Sequence, residues 1–159
     1  RRNPVALVLT RQNLSTIDRT QYAAASGLRC GAYILADAEG GKPDVILIGT
    51  GSEVSVCLAA RELLSAQGIA ARVVSMPSWE LFENQPEEYR HSVLPPEVTT
   101  RVAVEAGVGL GWERYVGPHG AFVGMRSFGA SAPAGVLMKY FGITAENVAN
   151  VAKALIKQD

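Results

Sequence analysis

Cysteine, histidine and aromatic side chains are scarce in this sequence. Of 159 residues only two are cysteine and two histidine, and Phe, Trp and Tyr together make up 7%. Cys30 and Cys57 do not stand in a CxxC spacing, which argues against a disulfide scaffold and for a reducing, cytosolic setting. His91 and His119 fall in neither an HExxH nor a CxxH spacing, so no metal site is expected from them. Net charge is missing as well, since 15 Lys+Arg balance 15 Asp+Glu. A sequence-independent nucleic-acid binder needs a basic footprint, and there is none. Apolar runs such as Val45-Ile46-Leu47-Ile48 stop far short of the ~18 residues of a membrane span.

What is present is a hydrophobic share of 48% against 19% charged residues, the balance of a compact globular chain rather than a disordered one. The length fits one domain with an attached fragment. Folding at this size buries about 68–70% of the unfolded surface, enough for a core without covalent staples. Arg1 opens the chain, and no apolar signal-peptide segment follows it. Pro4-Val5-Ala6-Leu7-Val8-Leu9-Thr10 reads as a strand of the kind covered on both faces. Nothing stands before it to satisfy its backbone groups. It is therefore expected to belong to a preceding domain; the alternative is that it joins the sheet of the domain that follows.

Residues 13–31 are polar and Ala/Ser-rich and read as a connector with one short helical turn. Strands are expected over 31–37 and 45–49, and the Gly/Pro turn between them favours an antiparallel hairpin. Strand and helix then alternate. Ser52 is expected to cap a helix over 53–67, closed by Gly68. A strand over 72–76 ends at Pro77. Short helical turns follow over 79–84 and 86–92, the second with Pro86 at its first helical position. A strand over 101–105, a short helix over 111–116 and a strand over 121–125 come next. Helices over 134–141 and 145–157 complete the chain, the latter capped by Thr144. This alternation predicts a three-layer α/β/α domain, with a mostly parallel five-stranded sheet and one antiparallel edge strand.

Gly49-Thr50-Gly51-Ser52-Glu53-Val54 sits at a strand-to-helix junction suited to an anion. The dinucleotide fingerprint fails at Val54, no acidic residue ends the next strand, and no Lys-Ser/Thr pair follows, so a tight turn is the plainer reading. Ser127 does not stand in a GxSxG elbow. Cys57, on an apolar helix face, and Cys30 read as inert packing residues. Trp112 and Tyr115 read as core or interface residues. Arg90 falls on a short turn beyond a strand's C-terminal end, where α/β ligand crevices form. Its fork suits phosphate; pairing with Glu87 or Glu88 at the surface is the competing reading.

Six segments carry a resemblance in order and with matching gaps. They are Leu9-Thr10-Arg11-Gln12-Asn13-Leu14, Gly31-Ala32-Tyr33-Ile34-Leu35, Gly49-Thr50-Gly51-Ser52-Glu53-Val54, Ala71-Arg72-Val73-Val74-Ser75-Met76-Pro77, Tyr89-Arg90-His91-Ser92-Val93-Leu94-Pro95 and Phe128-Gly129-Ala130-Ser131-Ala132-Pro133. Over nearly its whole length the chain resembles the C-terminal part of transketolases. These are homodimers that use thiamine diphosphate and a divalent metal (Mg2+ or Ca2+) to move a two-carbon ketol unit between sugar phosphates, in the pentose phosphate pathway or the Calvin cycle.

The resemblance implies that residues 1–14 end the pyrimidine-binding domain, that 15–30 connect, and that 31–159 form the C-terminal domain. It assigns Arg90, in Tyr-Arg-x-Ser-Val-Leu-Pro, to binding the substrate phosphate. Arg11 and Gln12 are structural by it, and His91 and His119 stay unassigned. The family's metal motif, its cofactor-flanking aromatic segment and its catalytic histidines are not in this sequence. No cofactor is therefore expected in this chain, which should be catalytically inactive alone. Sugar phosphates, the remaining domains and a second subunit are the implied partners, with neither nucleic acid nor membrane. Two competing readings are a stand-alone α/β interaction or small-ligand module and, weaker, a nucleotide-binding regulator using residues 49–54.

Overall fold

Residues 4–157 are described by the computed structural model; positions 1–3 and 158–159, at the outer ends of the expected spans 1–14 and 31–159, lie outside the described residues. Five strands form one sheet: β1 (Tyr33–Ala36), β2 (Val45–Gly49), β3 (Ala71–Ser75), β4 (Arg101–Val108) and β5 (Ala121–Met125). Their order is β1-β3-β2-β4-β5, with β1 antiparallel to β3 and every other pair parallel. The helices are α1 (Glu53–Ser65), α2 (Trp79–Glu83), α3 (Glu87–Val93), α4 (Glu113–Val116), α5 (Ala134–Tyr140) and α6 (Ala145–Ile156).

Side chains alternate across the strands, so the central ones bury both faces. Val45 and Leu47 of β2, with Val102 and Val104 of β4, pack toward α1 and α6. Ile46, Ile48, Val74 and Ala103 point the other way, toward α2, α3 and α4. The result is the three-layer sheet with one antiparallel edge strand that the alternation predicts. From β2 the chain reaches β3 through α1 on one face; from β3 it reaches β4 through α2 and α3 on the other. The chain leaves β2 toward β3 and leaves β4 the other way, through α4 to β5, so a topological switch point where α/β sheets open a crevice lies between β2 and β4.

Four expectations are corrected. The hairpin does not form, because β1 pairs with β3 and the chain crosses over that strand to reach β2. Gly40 and Gly41, at φ 73° and 70°, do turn the chain, but within a short 3-10 segment Glu39–Gly41 rather than in a two-strand ladder. Ser52 does not cap α1: it is itself helical, and its hydroxyl donates to Glu53 Oε1 at 2.5 Å. Pro86 stands one position outside α3, at its N-cap, with extended ψ of 148°. Finally, residues 4–10 form no strand here. Val5, Leu7 and Val8 are 83%, 80% and 92% exposed, because no neighbouring strand offers them a ladder.

The connector is more ordered than its composition implies. It carries a 3-10 turn, Ala25–Cys30, the Ala23 N–H donates to the Leu35 carbonyl at 3.0 Å, and Ile17 and Tyr22 pack on the α1/α6 core.

Candidate functional site

The face covered by α2, α3 and α4 is where charged and aromatic side chains meet. α2 begins where Ser78, its N-cap, accepts the Leu81 N–H at 3.3 Å. It can lie this close to β1 only because residue 31 is glycine. At φ 79°, a Cβ there would stand 2.3 Å from both Phe82 N and Ser78 O. α3 follows after Pro86, which cannot continue a helix from its missing N–H. Two long-range anchors then fix α3. The Tyr89 hydroxyl donates to the Ala32 carbonyl at 2.9 Å, and buried Arg72 donates to the carbonyls of Ser92 and Val93 at 2.8 and 3.2 Å. The opposite side of the Arg72 guanidinium is held by Asp37 at 2.7 Å. These anchors lay α3 on the sheet face, with Tyr89 beside Ala32 next to the C-terminal end of β3 and Val93 back near Arg72.

Arg90, the predicted site residue, projects from α3 with its side chain 36% exposed. It pairs with neither Glu87 nor Glu88. Its Nη1 donates to Glu83 Oε2 at 3.1 Å, on α2. The other carboxylate oxygen of Glu83 accepts the Tyr115 hydroxyl at 2.9 Å. Arg90 Nε is buried and has no hydrogen-bond partner among the described residues. An orphaned buried donor of this kind costs about 1–3 kcal/mol until an acceptor arrives.

Tyr115 is fixed in turn. It lies 5.5, 6.1 and 6.0 Å, centroid to centroid, from the rings of Trp79, Phe82 and Trp112. Burial, and then its hydrogen bond to the Glu83 carboxylate, push its pKa up to about 12, so it is a permanent donor at neutral pH. Trp112 and Tyr115 are thus core residues of this face, as expected. Trp112 also donates through Nε1 to Glu105 at 2.7 Å.

The switch-point crevice holds a cavity of about 190 Å³ lined by Thr50, Ser78, Trp79, Glu80, Glu105 and Trp112 among others. Arg90 is not on that lining; Tyr115, packed on Trp79 and Trp112, links the two. A second cavity of about 470 Å³ lies across the sheet against α5, around Gln12, Leu14, Glu53, Met125 and Phe141. Glu53 is almost fully buried there and accepts the Ala106 N–H at 3.2 Å, tying the end of β4 to α1.

The remaining candidates do not converge on Arg90. His91 is half-exposed and faces Glu87 at 3.6 Å, and His119 is exposed. Ser127 is exposed in a loop and donates only to the Phe128 carbonyl at 3.3 Å. Cys57 is fully buried, and that burial raises its pKa far from thiolate reactivity. Cys30 is half-buried and unpaired by any disulfide. Sequence reasoning passed over Glu83 and Glu53. Neither lies three or four residues from its partner, so no local spacing marks it.

The transketolase-like TK C-terminal domain family matches residues 31–144. The chain belongs to the transketolase family. It is 58% identical over 147 residues to the transketolase of Aquifex aeolicus, covering 92% of this chain and 21% of that protein. With transketolase 2 of Escherichia coli the identity is 54% over 151 residues, covering 95% of this chain and 22% of that protein. Among solved structures it is similar to a transketolase from Leishmania mexicana, with TM-score 0.84, 44% identity, and coverage of 93% of this chain and 21% of that one. It is also similar to a transketolase from Pichia stipitis in complex with sedoheptulose-7-phosphate, with TM-score 0.82, 36% identity, and the same coverage of 93% and 21%.

The chain therefore spans about a fifth of the length of the transketolases it matches. Among the described residues no group of three His, Cys, Asp or Glu side chains could hold a metal ion. No described helix is long and apolar enough to cross a membrane.

Proposed function

We propose that this chain is the C-terminal part of an enzyme that transfers a two-carbon ketol unit between sugar phosphates, and that Arg90 binds the substrate phosphate. Residues 1–14 then close a preceding pyrimidine-binding domain, and 15–30 connect it to the domain formed by 31–159. Thiamine diphosphate supplies electron-sink chemistry in such an enzyme, from domains outside this chain, and this segment contributes phosphate binding and packing against them and a second subunit. The exposed apolar residues Leu110, Phe128 and Tyr140 support a packing role. A cytosolic setting agrees with the two free cysteines. The isolated chain is expected to show no ketol transfer.

The observation that carries the phosphate reading is the state of the Arg90 fork. One terminal nitrogen is committed to Glu83, while Nε on the other edge is left without an acceptor. A guanidinium offers five donors, and a tetrahedral phosphate accepts two of them side by side. A phosphate remote from the reacting carbons is held alike in ground and transition states, so its partner contributes mainly uniform binding. In the full-length enzyme Arg90→Ala is therefore expected to raise KM for phosphorylated donors and acceptors about ten- to hundred-fold, with a smaller effect on kcat. Arg90→Lys should recover only part, since it lacks the planar fork. An unchanged KM in Arg90→Ala would overturn the assignment.

A further inference from the structure

We infer that Glu83 is a positioning residue: it holds the Arg90 guanidinium against α2 by Nη1, so that the opposite edge of the fork is the one left for the substrate phosphate. This rests on the reading of Arg90 given above.

An arginine that is one-third exposed has many rotamers open to it, and binding a phosphate would have to freeze them. Three features remove that freedom beforehand. Glu83 Oε2 fixes one end of the fork, at Nη1, 3.1 Å away. Glu83 is itself fixed, because its Oε1 accepts a hydrogen bond of 2.9 Å from Tyr115. Tyr115 is only 3% exposed and wedged among Trp79, Phe82 and Trp112, so this last donor is part of the core. The chain of support thus runs from aromatic core to phenol, from phenol to carboxylate, and from carboxylate to guanidinium.

The contact also selects an orientation. With Nη1 committed to Glu83, the unpartnered Nε lies on the opposite edge of the guanidinium, the edge that can offer two parallel N–H donors. A carboxylate near a phosphate site carries an electrostatic cost, since like charges repel. The positioning account requires the gain from preorganisation to exceed that cost. A purely neutralising carboxylate would do the reverse, and its removal would tighten phosphate binding.

The test uses the full-length enzyme with Glu83→Ala, Glu83→Gln, Arg90→Ala and the Glu83→Ala/Arg90→Ala double variant. Each is assayed with xylulose 5-phosphate and with hydroxypyruvate, a donor without phosphate. Glu83→Ala is expected to raise KM for the phosphorylated donor about three- to ten-fold, the scale of immobilising one long side chain. Its kcat and its KM for hydroxypyruvate should stay within about two-fold. Glu83→Gln keeps an acceptor oxygen at the same place and should fall between wild type and Glu83→Ala. In the Arg90→Ala background, Glu83→Ala should add no further selective loss, the signature of coupled residues.

A lowered KM for the phosphorylated donor in Glu83→Ala or Glu83→Gln would overturn the proposal in favour of charge neutralisation. An equal rise for both donors in both variants would overturn it in favour of a structural role. If Arg90→Ala discriminates between the donors and Glu83→Ala does not, positioning fails and the phosphate reading stands. If Arg90→Ala does not discriminate, the phosphate reading itself fails, and the proposal with it.

Discussion

The two faces of the sheet are built from different materials. One is covered by the long helices α1 and α6, of 13 and 12 residues, over a mainly aliphatic core of Val, Leu, Ile and Ala. The other is covered by α2, α3 and α4, of 5, 7 and 4 residues, and packs Phe82, Trp112 and Tyr115 beneath them. Short helices gain little from their own hydrogen bonds and need tertiary anchors. Arg72, Arg101 and Tyr89 supply them on this face. Arg101, for instance, donates to the carbonyls of Val98, Pro95 and Tyr115 at 2.8, 2.7 and 2.8 Å. The aliphatic face holds the fold through area removed from water, whereas the polar face holds individual groups at fixed places. That is the side from which Arg90 projects.

Substitutions can sharpen this contrast. The largest effect is expected at Leu64, which is fully buried on the inner side of α1 over the aliphatic face. Leu64→Ala should lower unfolding free energy by about 2–5 kcal/mol, read by chemical denaturation. On the polar face, Arg72→Met should cost about 2–3 kcal/mol by the same measurement. It strips charge-assisted donors from the end of α3, while Asp37, 41% exposed, can turn to water. Next come the helix starts. Thr144 accepts the Asn147 N–H at 3.2 Å, so Thr144→Ala should cost about 1 kcal/mol, whereas Ser52→Ala should cost no more than a few tenths.

A further contrast is pH dependence. Tyr115 and Tyr89 both have their pKa raised to about 12 in the folded state, first by burial. Free tyrosine titrates near ~10, so the protonated form is favoured by folding. Their contribution to stability is complete below about pH 10 and is lost as pH rises from 10 to 12. Tyr115→Phe should make stability fall less steeply in that window, and Tyr89 should account for the remaining slope.

The aliphatic face was the more legible in sequence. Val45-Ile46-Leu47-Ile48 announces a strand buried on both sides, and the helical spacing of Val54, Leu58 and Leu64 announces its cover. Strand pairing was less so. The Gly40-Gly41 turn has the composition of a hairpin, and nothing local says that β3 will be inserted between its two arms. At the site, the motif around Arg90 was visible but its partner was not. Glu83 lies seven residues away across the break at Pro86, and Tyr115 lies 32 residues from Glu83. A hydrogen-bond chain that joins three separate helices leaves no periodicity to read. The strand expected over 4–10 shows the same limit, since its apolar residues specify burial but not what buries them.

One ratio tests the division of labour between the faces most directly. It is kcat/KM for xylulose 5-phosphate divided by that for hydroxypyruvate, measured in the full-length enzyme as wild type, Arg90→Ala and Leu64→Ala, at a temperature where all three are folded. The ratio should fall about ten- to hundred-fold in Arg90→Ala and stay at the wild-type value in Leu64→Ala. An unchanged ratio in Arg90→Ala, or an equal fall in both variants, would contradict the account.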